Sequence, residues 1–159
     1  MLTALALLTC VGAAIVGGVF FAFSTFVMKA LAQLPASQGV AAMQRINVVV
    51  LNPMFFGAFF GTALLGAGCV AVSFFPWIPL RSPLLLATGL LYIVGTLFVT
   101  IAFNVPRNER LARLDNESSE ASAYWPVYVA EWSTWNHVRT AASVASALCS
   151  ATALAYCPL

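Results

Sequence analysis

The chain has 159 residues, 62% of them hydrophobic and 8% charged, with a formal net charge of +2. Soluble domains carry about 25% charged residues, so this composition excludes an ordinary water-soluble fold. The positive charge is too small and too scattered for nucleic acid, so no nucleic-acid partner is expected. The lipid bilayer is the expected partner instead, and apolar runs of about twenty residues are the test.

Four runs meet or approach that length: Leu2 to Met28, Val48 to Trp77, Leu84 to Phe103, and the more Ala- and Ser-rich Thr140 to Leu159. Backbone polar groups in lipid must be satisfied within their own segment, which requires helices. The expected fold is therefore all-α: a transmembrane four-helix bundle in a single domain over 1–159. Its helices fall at about 2–31, 41–75, 83–104 and 124–157, with a longer, partly helical connection between the third and fourth. The first run has no basic leader and is too long for a signal-peptide core, so it is read as a retained helix.

The first helix carries Gly12, Gly17 and Gly18, which allow close helix approach, and then Phe20, Phe21, Phe23 and Phe26. Ser24 is expected to return its hydroxyl to the preceding turn. In the second helix, Pro53 restricts Asn52 and removes a backbone bond. A kink is expected there rather than an end, because the apolar run continues. Gly57 and Gly61, with Gly68 a heptad later, form a flat packing face, either within the bundle or against a second copy in a homo-oligomer.

Pro76 to Pro83 forms the next turn, with Trp77 as an interfacial anchor. The third helix sets Tyr92, Thr96, Thr100 and Asn104 at four-residue intervals, a polar stripe that belongs against protein or a cavity. Asn104-Val105-Pro106-Arg107-Asn108 is expected to break it, followed by a short surface helix to Asn116. Ser118-Ser119-Glu120 has the form of a helix N-terminus. Lys29, Arg45, Arg107, Arg110, Arg113 and Arg139 fall on one side of the membrane and Arg81 on the other. The long connection and its rim are thus expected in the cytoplasm, with both termini outside. Cys10, Cys69, Cys149 and Cys157 have no metal-binding spacing.

An up-down arrangement gathers Asn47, Asn52, Asn104, Asn108, Trp132, Trp135, Asn136, His137 and Arg139 at one rim. Buried amides need partners, so such a set makes either an interhelical network or a lined pocket. At about 100° per residue, Trp132, Trp135, Asn136, Arg139, Ser143, Ser146 and Ser150 share one face, which Trp125 and Tyr128 extend backwards. His137 lies off that face, in phase with Val144 and Leu148.

Trp132-x-x-Trp135-Asn136-His137-Val138-Arg139-Thr140 resembles the final motif of the anthrone oxygenase family of small membrane proteins. Asn104-Val105-Pro106-x-Asn108, Met43-Gln44-x-Ile46-Asn47, Leu51-Asn52-Pro53 and the segment from Phe23-Ser24 through Leu31 resemble its other motifs. Fungal members of that family oxidise a polyketide anthrone with dioxygen, without a recognised metal or flavin. The resemblance therefore implies a cofactor-independent oxygenase acting on an apolar aromatic ketone or phenol, with no cofactor and no metal site. Such a reaction needs a base, donors for an enolate oxygen and flat walls. His137 is the neutral-range base; if it faces lipid, Glu131, Tyr128 or an external base must serve. Arg139 and Asn136 would hold the oxyanion. Trp132 and Trp135 would stack on the rings, and Asn47, Asn52, Asn104 and Asn108 would line the pocket. The alternatives are a non-catalytic membrane protein binding a lipid, quinone or partner helix, and, ranked last, a small carrier or channel.

Overall fold

A computed structural model describes residues 1–156. Cys157 and the expected end of the last helix at 157 lie outside them. The described chain is all-α, with five helices: α1 (Leu2–Ala32), α2 (Ala36–Val49), α3 (Pro53–Ser73), α4 (Arg81–Ala112) and α5 (Ser119–Leu154). Three of them, α1, α3 and α4, are long and apolar enough to cross a membrane. The fifth is the longest, at 36 residues, but its buried stripe mixes Ser, Asn and Arg with aromatics.

The four long helices pack in cyclic order: α1 on α5 and α3, and α4 on α3 and α5. Neighbours run antiparallel, because partner numbers fall on one helix as they rise on the next. Ser150 of α5 bonds to Ala6 and Asn136 bonds to Phe20. On α3 and α4, Gly66 meets Gly89 while Phe59 meets Tyr92. Backbone meets backbone between α3 and α4, where a Cβ on Gly89 would collide with the Gly66 carbonyl and Val70. Removing a side chain there lets the backbones touch, which is how helices associate without a hydrophobic drive.

Gly12 and Gly17 pack as expected, against Thr62 and Ser143, whereas Gly18, Gly57 and Gly61 do not. A Cβ on Gly57 or Gly61 would stand in open space, so that face takes no part in packing within the chain; Gly68 does meet Leu5. The face carrying Gly57 and Gly61 points away from both α1 and α4, and Gly12 against Thr62 supplies a close α1–α3 contact instead.

Asn52-Pro53 ends one helix and starts another rather than kinking a continuous one. The proline holds Asn52 extended (φ −108°, ψ 157°), and Asn52 Oδ1 then accepts from Phe55 N at 3.0 Å as an N-cap. This frees α2 to lie across the ends of α5 and α4. Gln44 Nε2 fastens it by donating to the Leu111 and Leu114 carbonyls, both at 2.9 Å.

Pro106 does not end α4, which runs on to Ala112. A π-helical stretch at Thr100–Asn104 immediately precedes it, and Leu91–Phe98 is π-helical too. Wider turns absorb the steric conflict that a proline imposes on the preceding carbonyl. They also hold the polar stripe in line, since an ideal α-helix would rotate it by about 40° per four residues. Tyr92, Thr96 and Asn104 are all buried and Thr100 half-buried. Ser118 caps α5 by accepting from Ala121 N at 3.1 Å, as its motif implied.

Candidate functional site

The buried stripe of α5 includes Trp125, Tyr128, Trp132, Asn136, Arg139, Ser143, Ser146 and Ser150. That is the face the 100° spacing selected, apart from Trp135. Asn136 ties the stripe to α1: its Nδ2 donates to the Phe20 carbonyl at 2.8 Å and to Ser24 Oγ at 2.7 Å. Ser24 therefore bonds across helices, to Asn136 and to Thr140 Oγ1 at 2.9 Å, and does not turn back on its own helix. The α1 turns at Phe23–Val27 are π-helical and place Ser24 at this contact.

Asn136 Oδ1 accepts from Arg139 Nη2 at 2.7 Å, and Arg139 Nη1 donates to Thr100 Oγ1 at 3.3 Å. Arg139 is only 4% exposed, and its guanidinium is flanked by two rings. It lies 4.1 Å from the Phe20 ring centroid and 5.1 Å from that of Trp132. Its Nε is buried with no acceptor. Among the described residues the ion pair is Arg107–Glu131 at 2.9 Å; Arg139 has no carboxylate. Burying a cation without an opposite charge beside it is costly. Contacts to ring faces offset about 0.5–2 kcal/mol each.

Arg139 opens onto a cavity of about 180 Å³. Phe20, Phe23, Phe55, Phe59 and Trp132 form aromatic walls, and Thr100, Asn47 and Asn108 add polar atoms. Around it, α5 carries a ladder of rings: Trp125 stacks on Tyr128 at 5.7 Å and Tyr128 on Trp132 at 6.4 Å. Tyr128 OH donates to Asn108 Oδ1 at 2.9 Å, which fixes that amide at the cavity wall. Asn47 Nδ2 is buried there without an acceptor.

Of the residues singled out in the sequence, Arg139, Trp132, Asn47 and Asn108 line this cavity. Asn136 lies behind Arg139 and orients it. Asn104 bridges helices, donating to the Trp132 carbonyl at 3.2 Å. Trp135 stacks on Phe103 at 3.6 Å instead of on the cavity, and Asn52 is exposed and spent as a helix cap. His137 is exposed and absent from the cavity wall, because its position on α5 points it outward with Val144 and Leu148.

The aromatic walls contributed by α1 and α3 escaped the sequence reading. A signal existed in Phe55-Phe56 and Phe59-Phe60, pairs four residues apart that share a helix face. Phe55 does stack on Phe59, at 5.8 Å.

The chain belongs to the anthrone oxygenase family, whose sequence model matches residues 53–149. The matched segment contains Thr100, Asn104, Asn108 and the whole Trp132–Arg139 motif, while the motifs in α1 and α2 precede it. No curated protein and no solved structure shows a significant match.

Proposed function

We propose, from membership of this family and from the cavity beneath Arg139, that the protein is a membrane-embedded, cofactor-independent oxygenase. Its substrate is an apolar aromatic ketone or phenol. The four long helices form a transmembrane bundle in one domain, with the inner part of α5 as the fourth span. Lys29, Arg45, Arg107, Arg110 and Arg113 gather at one end and Arg81 at the other. That distribution favours a cytoplasmic α4–α5 connection and external termini.

The observation that carries the reading is Arg139, a buried cation without a carboxylate partner in the wall of an aromatic cavity. A preorganised cation in a low-dielectric site stabilises negative charge where it develops. In the proposed reaction, a methylene beside an aromatic ketone loses a proton to water, and the resulting enolate oxygen pairs with Arg139. The enolate carbon then gives an electron pair to dioxygen. A C–O bond forms, a proton returns to the peroxide, and loss of water leaves a second carbonyl. The balance is one methylene plus one dioxygen to one carbonyl plus one water. Phe20, Phe59 and Trp132 supply the flat walls, and Asn136 and Thr100 position the guanidinium. Water acts as the base because the cavity wall contains no imidazole or carboxylate.

The non-catalytic alternative accounts for Asn136 and Asn104, both of which work as interhelical bonds. It gives no role to a buried cation in the wall of an aromatic cavity. Oxygen uptake by the purified protein with anthrone separates the two. Substrate-dependent uptake that disappears in Arg139→Gln is expected; no uptake across a panel of aromatic ketones and phenols removes the enzymatic reading.

A further inference from the structure

We propose that the cavity is loaded sideways, from the bilayer, through a gap between the start of α3 and the last turns of α4. Its ligand class is therefore a bilayer-dissolved, flat amphiphile bearing one acidic oxygen. This rests on the membrane and oxyanion readings above and adds the route and the physical state of the substrate.

Three observations converge on the gap. First, α3 and α4 are tightly packed along one stretch only. Gly66 meets Gly89, and Tyr92 OH donates to the Phe59 carbonyl at 3.1 Å. Beyond Phe59, towards Pro53, α3 barely touches the Thr100–Ala112 part of α4. Second, the side chains bordering this divergence line the cavity and are also open to the outside. Leu51, Phe56 and Phe60 stand on the α3 side, and Ile101 and Val105 on the α4 side. Ile101 is 56% and Phe60 49% exposed, against 4% for Arg139. Third, this mouth is wholly apolar. Phe56 and Phe60 lie in one candidate span and Ile101 and Val105 in another, so the opening faces hydrocarbon at membrane depth.

A soluble metabolite would meet a greasy barrier there. A molecule already dissolved in lipid meets none, and its acidic oxygen would meet the Arg139 guanidinium in the cavity wall after its rings had passed the mouth. The Arg139 cation, buried in the cavity wall without a carboxylate partner, fixes the chemistry of the occupant; the exposed apolar border fixes where it comes from.

The test uses the full-length protein in phosphatidylcholine nanodiscs with 2-naphthol as the probe, followed by stopped-flow naphthol fluorescence. Ile101→Trp crowds the mouth. Val94→Trp changes an equally exposed residue on the same helix that does not border the cavity. A blocked route slows association and dissociation together, by about tenfold each, and leaves Kd unchanged. Val94→Trp should match the wild type, and far-ultraviolet circular dichroism should show unaltered helix content in both variants. Saturable binding whose rates ignore Ile101→Trp overturns the lateral route while leaving the oxyanion pocket standing. A weaker Kd with an unchanged association rate also overturns it, because the new ring would then fill the cavity rather than its mouth. No saturable binding to the wild type removes pocket and route together.

Discussion

The two ends of the α4–α5 interface use different residues to opposite effect. Towards Ser146 and Ser150 the side-chain hydroxyls close onto neighbouring helices, and Arg81 Nε is the buried group left without a partner there. Ser146 Oγ donates to the Thr88 carbonyl at 2.8 Å, Ser150 Oγ to the Ala6 carbonyl at 2.7 Å, and Ser143 pairs with Thr96 at 2.8 Å. Gly66, Gly89 and Gly95 bring the backbones together over the same stretch. Towards Trp132 the groups grow larger and the accounts stay open. Asn47 Nδ2, Asn104 Oδ1, Trp125 Nε1, Trp132 Nε1 and Arg139 Nε are all buried without partners. Native interiors hold few such groups, and each asks for an explanation. Small hydroxyls and glycines weld the helices at one end. At the other, long polar side chains and rings hold them apart around a space.

Arg139 tests the open end most severely. Arg139→Gln should lower anthrone-dependent oxygen uptake by about 10²–10³-fold, the range seen when one oxyanion donor is lost. Its thermal stability in detergent should hold or rise, because removing an unpaired buried charge relieves a desolvation cost. A variant that unfolds while its remaining folded fraction keeps full activity would make Arg139 a structural strut. The closed end answers to volume. Gly89→Val should destabilise the protein by about 1–3 kcal/mol or more, since the new side chain meets backbone that cannot move aside. Detergent melting curves read this directly. If Gly89→Val melts like the wild type, the two ends do not differ in packing as described.

The contrast was partly legible in the sequence. The 100° phase of Trp132, Asn136, Arg139 and the three serines selects the inward face of α5, and Ser118 announces its N-terminus. Both are local, periodic signals. Less visible was that α2 and α3 are separate helices, since a continuous apolar run hides the cap that Asn52 makes once α2 folds across the bundle. The π-helical turns were equally hidden, because they depend on what Pro106 and the polar stripe meet in space. The cavity is a product of helix divergence, and its walls come from phenylalanines 20, 23, 55 and 59 on two different helices. No spacing within one segment reports that.

Thr100 marks the boundary between the two ends. It donates to the Thr96 carbonyl at 2.7 Å in the manner of the closed end, and accepts from Arg139 across a longer 3.3 Å contact at the open one. Thr100→Val should cost about tenfold or less in turnover, the loss of roughly one kcal/mol that a single long hydrogen bond supplies. Measured beside Arg139→Gln in the same assay, it reports how much of the guanidinium's effect depends on being held. A Thr100→Val loss as large as that of Arg139→Gln would mean that the hydroxyl itself meets the substrate.

The smallest effect should come from His137. By chemistry it is the natural base of this chain, but it is exposed on the outer side of α5, with Val138 beside it also open. Two residues further on, Arg139 points inward because successive helical positions differ by about 100°. A base must come within hydrogen-bond reach of the proton it removes, and no rotamer of an outward side chain crosses the helix that carries it. His137→Ala should therefore change oxygen uptake by less than about threefold. A drop of a hundredfold would transfer the chemistry from the cavity to the outer face of α5. The open end would then be a lipid- or quinone-binding pocket with the reaction elsewhere.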